Sequence, residues 1–190
     1  MNAMSFLIST LFDLYIMVVI LRIWLQAARA DFYNPFSQFI VKATQPVIGP
    51  LRRVIPSIGS LDLATVLFAY LLLVLKLALI ATVSPQDALS LTLQGHFFVA
   101  LFGLVKMVGK TLLYVLIIRA ILSWVSQGRS PIEYVFHQLT EPMLAPIRRI
   151  LPAMGGFDLS VLVLFIVLQF TNYLIGDLLT PLVGPFWYLL

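Results

Sequence analysis

Charged side chains are scarce in this chain, with 12 Lys and Arg against 8 Asp and Glu in 190 residues. The few that interrupt apolar runs are therefore the first candidates for chemistry. Asp13, Lys76 and Lys110 each lie inside such a run. A charge held in hydrocarbon is costly, so its default reading is either a paired structural group or part of an ion path. Asp13 precedes Arg22 by as many residues as Lys110 precedes Arg119, which puts the two at one depth if the chain is duplicated. Lys76 falls about 15 residues into its own run, ~20 Å from its start at a helical rise of ~1.5 Å. Its counterpart in the other half of the chain is Asn172. These residues predict an intramembrane polar cluster in which Asp13 pairs with Lys110 or Lys76 and Asn172 completes the set. One acid facing two lysines leaves excess positive charge, which loss of a lysine proton or access of water must accommodate.

The second group is the arginine pairs Arg52-Arg53 and Arg148-Arg149, each flanked by Leu, Ile or Val and bracketed by prolines. Guanidinium groups between apolar neighbours fit a membrane interface, with aliphatic side chains among acyl chains and the cations on lipid phosphates. Arg52, Arg53, Arg148 and Arg149 are thus candidate contacts for anionic headgroups or for partner membrane proteins. The plainer alternative is that they only fix topology. Asp62 and Asp158 follow them at the start of apolar runs, where a carboxylate complements a helix N-terminus and can reach the arginines.

Catalysis finds no foothold. The chain has no cysteine, which removes thiolate chemistry and disulfides. His96 and His137 have no acidic or histidine partner at metal-ligand spacing, and no phosphate loop, nucleophile elbow or zinc motif occurs. A non-enzyme without cofactor or metal is expected. The net charge of +4 reads as the basic flanks of membrane spans rather than as a nucleic-acid surface.

Composition dictates the elements that hold these residues. With 61% hydrophobic residues, the chain has more apolar surface than a soluble domain of its size can hide. Four apolar runs, Phe6 to Gln26, Leu61 to Val83, Phe97 to Val125 and Phe157 to Leu179, match the ~20 residues needed to cross a ~30 Å hydrocarbon core. The first run is not read as a signal peptide, because no Lys or Arg precedes it and it is long enough to span. Ser84 to Gly95, with Pro85 and Gly95, is predicted as a loop between two units, 1–88 and 89–190.

An internal repeat sets the architecture. Asn34–Ala64 lies on Ser130–Ser160 without gaps, with identities at Pro35/Pro131, Thr44/Thr140, Pro46/Pro142, Pro50/Pro146, Arg52/Arg148, Arg53/Arg149, Pro56/Pro152, Gly59/Gly155, Asp62/Asp158 and Leu63/Leu159. One residue of slippage brings Arg22 onto Arg119. Each unit carries two spans, so the units enter the membrane as parallel repeats. The loops hold Arg29, Lys42, Arg52 and Arg53 in one unit and Arg129, Arg148 and Arg149 in the other, while the tails and the central linker hold no Lys or Arg. Positive charge inside then predicts cytoplasmic loops and both termini outside. Lys106 and Asp177 are expected to snorkel to the outer interface, where Trp187 and Tyr188 look like an aromatic belt.

Within each loop, Asn34-Pro35 and Ser130-Pro131, the latter followed by Glu133, signal helix starts. Phe36, Phe39, Ile40 and Ala43, and in the other unit Ile132, Val135, Phe136 and Leu139, recur at helical spacing. An amphipathic interfacial helix of roughly three turns is predicted in each, ended by Pro46 and Pro142. The fold class is an all-α membrane protein of four transmembrane helices in two parallel repeats, each with a cytoplasmic-side amphipathic helix.

The whole duplicated pattern, a span, an Asn/Ser-Pro helix, then proline, Arg-Arg, Pro, Gly and Asp, resembles the YggT family of bacterial inner-membrane proteins. The resemblance covers nearly the whole chain. It implies a multi-pass protein of the bacterial cytoplasmic membrane, with family links to osmotic-stress tolerance, potassium handling, cell-division gene neighbourhoods and, in plastids, cytochrome assembly. It carries over no catalytic residue. Two functions follow as expectations: an adaptor or assembly helper at the cytoplasmic face, or an ion-conducting component. Since four spans leave little room for a pore, conduction would require an oligomer, and a homo-oligomer is expected.

Overall fold

The computed structural model describes residues 2–59, 61–84, 93–125, 130–150, 159–183 and 187. Six helices succeed one another: α1 (Ala3–Ala27), α2 (Pro35–Leu51), α3 (Leu63–Val83), α4 (Leu93–Val125), α5 (Pro131–Ile150) and α6 (Leu159–Val183). Among the described residues there is no β-strand. Helices α1, α3, α4 and α6 are long and apolar enough to cross a membrane. In their most apolar windows only 28, 17, 33 and 11% of the residues are buried within the protein, and so much uncovered hydrocarbon requires a bilayer. The chain is a multi-pass helical membrane protein.

Local sequence explains four of the helix ends. Asn2 caps α1 by accepting from the Ser5 N–H at 2.7 Å and ties the start of α1 to the end of α3 by donating to the Val83 carbonyl at 3.2 Å. At the other end Arg29 adopts φ 48°, and the Ala30 N–H donates to the Leu25 carbonyl at 3.0 Å, the six-to-one closure of a Schellman turn. Asn34 caps α2 through the Ser37 N–H at 2.9 Å with Pro35 in the first turn. The Ser130 hydroxyl accepts from the Ile132 N–H at 3.3 Å at the start of α5.

Three predicted boundaries move. Pro46 and Pro142 do not end their helices: α2 runs on through Pro46 and Pro50 to Leu51, and α5 through Pro142 and Pro146 to Ile150. A proline inside a helix removes one donor and displaces nearby carbonyls, and two carbonyls in the turn before Pro46 accept from side chains of α1. Arg22 donates to the Val41 carbonyl at 3.3 Å and the Tyr15 hydroxyl to the Ala43 carbonyl at 3.2 Å. Consequently Arg52-Arg53 and Arg148-Arg149 do not form a separate element but stand at the C-terminal ends of α2 and α5, where cations complement the helix dipole. Gln94 and Gly95, predicted in the linker, belong to α4; Pro85, Gln86 and Asp87 lie outside the described residues. So do Pro152, Gly155, Asp158 and Arg129.

Packing joins the two halves. α1 lies against α2, α3 and α4, while α4 lies also against α3, α5 and α6. Ile16, Ile20, Leu73, Ala100 and Met107 form one core among α1, α3 and α4. Leu25, Ala30 and Ile40 meet Val135 and Leu139 of α5 in a second, and Leu112, Leu116, Leu144 and Leu164 close a third among α4, α5 and α6. Of the residues predicted to line the apolar faces of α2 and α5, Ile40, Val135, Phe136 and Leu139 are buried, whereas Phe39 is exposed. Thr44 and Ile48 take its place on the buried face of α2.

Candidate functional site

Three spanning helices meet at Asp13. Its Oδ1 accepts from the Lys76 ammonium at 2.6 Å and its Oδ2 from Lys110 at 2.7 Å, so one carboxylate of α1 binds a lysine from α3 and one from α4. Asp13 and Lys76 are buried, while the Lys110 side chain is one-third exposed. Both expected partners are taken at once, each oxygen serving one ammonium, which is how a buried charge avoids the cost of desolvation.

Asn172 does not join this cluster. α6 packs on α4 and α5, so the Asn172 carbonyl oxygen instead accepts from the Trp187 indole N–H at 3.0 Å. Nor does Lys106 snorkel outward. It donates to the Trp187 backbone carbonyl and stands 5.5 Å from the centre of the Trp187 ring, a cation–π distance. Trp187 itself is 2% exposed and is no lipid-facing belt residue; Tyr188 lies outside the described residues. Asp177 is exposed on α6. Lys106, Lys110, Gln169, Asn172 and Trp187 border a cavity of about 310 Å³ between α4 and α6.

At the other end, the arginines of each pair diverge. Arg52 donates to Asp62 Oδ2 from Nε at 2.8 Å and from Nη2 at 2.6 Å, and to the Gln26 side chain at 2.8 Å. Gly59, at φ 61°, makes the tight turn closed by reciprocal 3.0 Å hydrogen bonds between Ile58 and Leu61 that delivers Asp62 to Arg52. Asp62 makes no side-chain cap to the α3 backbone; its Oδ2 is taken by Arg52 and the Thr65 hydroxyl. Burial pushes the Asp62 carboxyl up, but the hydrogen bonds from Arg52 and Thr65 outweigh it and hold the group below the usual carboxylate range. Arg148 grips both oxygens of Glu141 at 2.9 Å. Arg53 and Arg149 are exposed, and among the described residues no carboxylate pairs with either.

A further pair escaped the sequence reading as a site. Arg22 and Arg119 are buried at 4% and 8% exposure. Arg22 donates to the Thr44 hydroxyl and to the Gln45 side chain, both at 2.7 Å. Arg119 donates to the Thr140 hydroxyl and, at 3.4 Å, to Glu141. Each arginine thus pins α2 to α1 or α5 to α4. The superposition of Arg22 on Arg119 and of Thr44 on Thr140 is the signal that marks the pair, because a duplicated polar residue within an apolar run has a duplicated partner. Where α2 has Gln45, α5 has Glu141, which also meets Arg148 and, against the expectation that His137 lacks an acidic partner, His137 one turn before it at 3.2 Å. None of these groups presents a nucleophile beside a base, and among the described residues no cluster of metal-ligating side chains occurs.

The model of one protein family, described as CCB3/YggT, matches the chain over residues 1–83 and again over 98–179. An uncharacterized protein from the proC 3′ region of Vibrio alginolyticus is 71% identical over 188 residues, 99% of either chain. The uncharacterized protein YggT of Escherichia coli K12 is 51% identical over 180 residues, covering 94% of this chain and 92% of its own. An uncharacterized protein of Haemophilus influenzae is 39% identical over 180 residues, 95% and 93% of the two chains. No solved structure matches.

Proposed function

The chain belongs to the CCB3/YggT family, and from that premise we propose that it is a non-enzymatic adaptor or assembly helper of the bacterial inner membrane. In this reading its two units are parallel repeats with both termini outside, and α2 and α5 are interfacial helices on the cytoplasmic face. Together they form a platform for anionic lipids and partner membrane proteins, contributing to osmotic-stress tolerance.

The observation that carries the reading is the pairing of α2 with α5 across the repeat. Phe36 and Phe136 meet at a tilt of 43° with ring centres 5.0 Å apart, the Gln138 side chain accepts from the Asp31 N–H at 3.3 Å, and the buried Arg22 and Arg119 anchor both helices to the spans beneath. The outer rim of these helices offers Arg53 and Arg149 together with the exposed apolar residues Phe39, Val54, Tyr134 and Ile150. Exposed cations amid exposed hydrocarbon suit an interface with anionic headgroups or with another membrane protein. The paired Arg52 and Arg148 serve the scaffold, so the contact role expected of all four arginines narrows to Arg53 and Arg149.

The test is photo-crosslinking in native membranes with a reactive residue at position 53 or 149, against controls at 52 and 148. Specific adducts from 53 and 149 support the platform. Ion conduction is the competing function. In the adaptor reading Asp13, with each oxygen on a lysine, is a structural ion cluster joining α1, α3 and α4. Potassium flux through purified protein in liposomes that disappears in Asp13→Asn and Lys110→Met would overturn the adaptor reading.

A further inference from the structure

Helix α4 places Lys106 and Lys110 one turn apart on the same face, and both border the cavity between α4 and α6. Two like charges at this spacing repel, and in a spanning segment neither can be left to water at low cost. Lys110 has Asp13. Lys106 has a backbone carbonyl and the face of an indole ring, which are dipolar and quadrupolar partners rather than a countercharge. Among the described residues, Asp13 is the one carboxylate paired with these lysines, and it bonds Lys76 and Lys110 but not Lys106. At Lys106 the cavity therefore holds an ammonium group that bonds no carboxylate of the described residues.

The rest of its wall is apolar, from Val105, Leu113, Leu168 and Ile175, with Gln169 and Asn172 as polar side groups. A volume of about 310 Å³ is on the order of ten water-sized units, room for a small headgroup and several methylenes. Exposed apolar residues of α4 and α6, Val108 and Phe170 among them, continue outward from it towards lipid. Gly109 lies between the two lysines in sequence and borders the cavity, and a Cβ built there meets nothing within 4 Å, so open space begins at the helix backbone.

We propose that this cavity binds the head and proximal chain of an acyl amphiphile bearing a single anionic group, a carboxylate or a phosphate, with Lys106 as its principal cation and Trp187 as the closing wall. The site is separate from the arginine rim of α2 and α5, and the inference does not depend on the adaptor reading.

Trp187 supplies the readout. In a detergent-purified full chain with Trp24→Phe and Trp124→Phe, which leaves Trp187 as the sole tryptophan, fluorescence is titrated with dibrominated stearic acid, phosphatidylglycerol or phosphatidylcholine. The expected result is saturable quenching by the acid, by the glycerol lipid or by both, which identifies the source of the anion, with the choline lipid at least tenfold weaker. Lys106→Gln weakens it at least tenfold, and Gly109→Leu, whose side chain grows into the cavity from a position with open space at Cβ, abolishes it. Arg53→Gln with Arg149→Gln leaves it unchanged. No saturable quenching in folded protein, equal quenching by the choline lipid, or quenching that survives either cavity substitution overturns the proposal. A saturable change in Trp187 emission with inorganic phosphate where no amphiphile quenches would also overturn it, in favour of a free-anion site.

Discussion

One carboxylate holding two lysines behaves differently from an ordinary ion pair when it is rearranged. Asp13→Asn leaves Lys76 buried without its anion, a change that costs about 3–5 kcal/mol for a buried pair and is read as a lowered thermal midpoint in detergent. Exchanging Asp13 with Lys110 is expected to stay destabilised: the new Lys at 13 would meet Asp at 110, but it would also stand where Lys76 now reaches Oδ1 at 2.6 Å. Adding Lys76→Met to the exchange removes that repulsion and should recover much of the loss, so the three substitutions are strongly non-additive. Full tolerance of the double exchange alone would contradict the shared-carboxylate geometry. Asp62 gives a prediction in pH. Its carboxyl is held below the usual range, so its contribution to stability is complete above the unfolded value of ~3.9 and is lost as pH falls through the lower folded value. Asp62→Asn should therefore cost about 1–3 kcal/mol near neutrality, the penalty of an unmade buried hydrogen bond, and its midpoint should converge with that of the parent below about pH 4. A gap that persists unchanged in acid would mean that Asp62 acts by shape rather than by charge.

The helices themselves show where sequence ran out. Hydropathy located all four spans, and the Asn-Pro and Ser-Pro signals located the starts of α2 and α5, because both are local properties of the chain. Pro46 and Pro142 were misread as stops because the partners that accommodate the break at Pro46, Tyr15 and Arg22, come from another helix. Asn172 was misassigned for a related reason. The spans are apolar all round, so the pattern of residues does not mark which face meets which neighbour, and the contact of α6 with α4 rather than with Asp13 depends on packing alone. Arg29 is the element-scale prediction. It closes α1 in the left-handed region at φ 48°, where a non-glycine residue costs about 1–2 kcal/mol. Arg29→Gly should raise the thermal midpoint by an amount near ~1 kcal/mol, and the same substitution at Ala28, which is right-handed, should not.

At the scale of the whole molecule, the question is how six helices are oriented across the bilayer. On the proposed parallel arrangement, the Arg-bearing ends of α2 and α5 share one face, and the ends of α1 and α3 bridged by Asn2 and Val83 lie on the other. In the proposed topology the excess of arginine on the first face places it in the cytoplasm. Since the chain has no cysteine, single substitutions report cleanly. Val54 and Ile150, equivalent in the repeat and 81% and 82% exposed, follow the two arginine pairs, and Thr82 is exposed near the end of α3. With a membrane-impermeant maleimide on intact cells, Thr82→Cys should label, whereas Val54→Cys and Ile150→Cys should label only once the inner face is opened. The reverse pattern would invert the molecule. Labelling of positions 54 and 150 from opposite faces would sink the parallel arrangement, and with it the platform of α2 and α5, because two helices on opposite sides of a bilayer cannot bring Phe36 to Phe136.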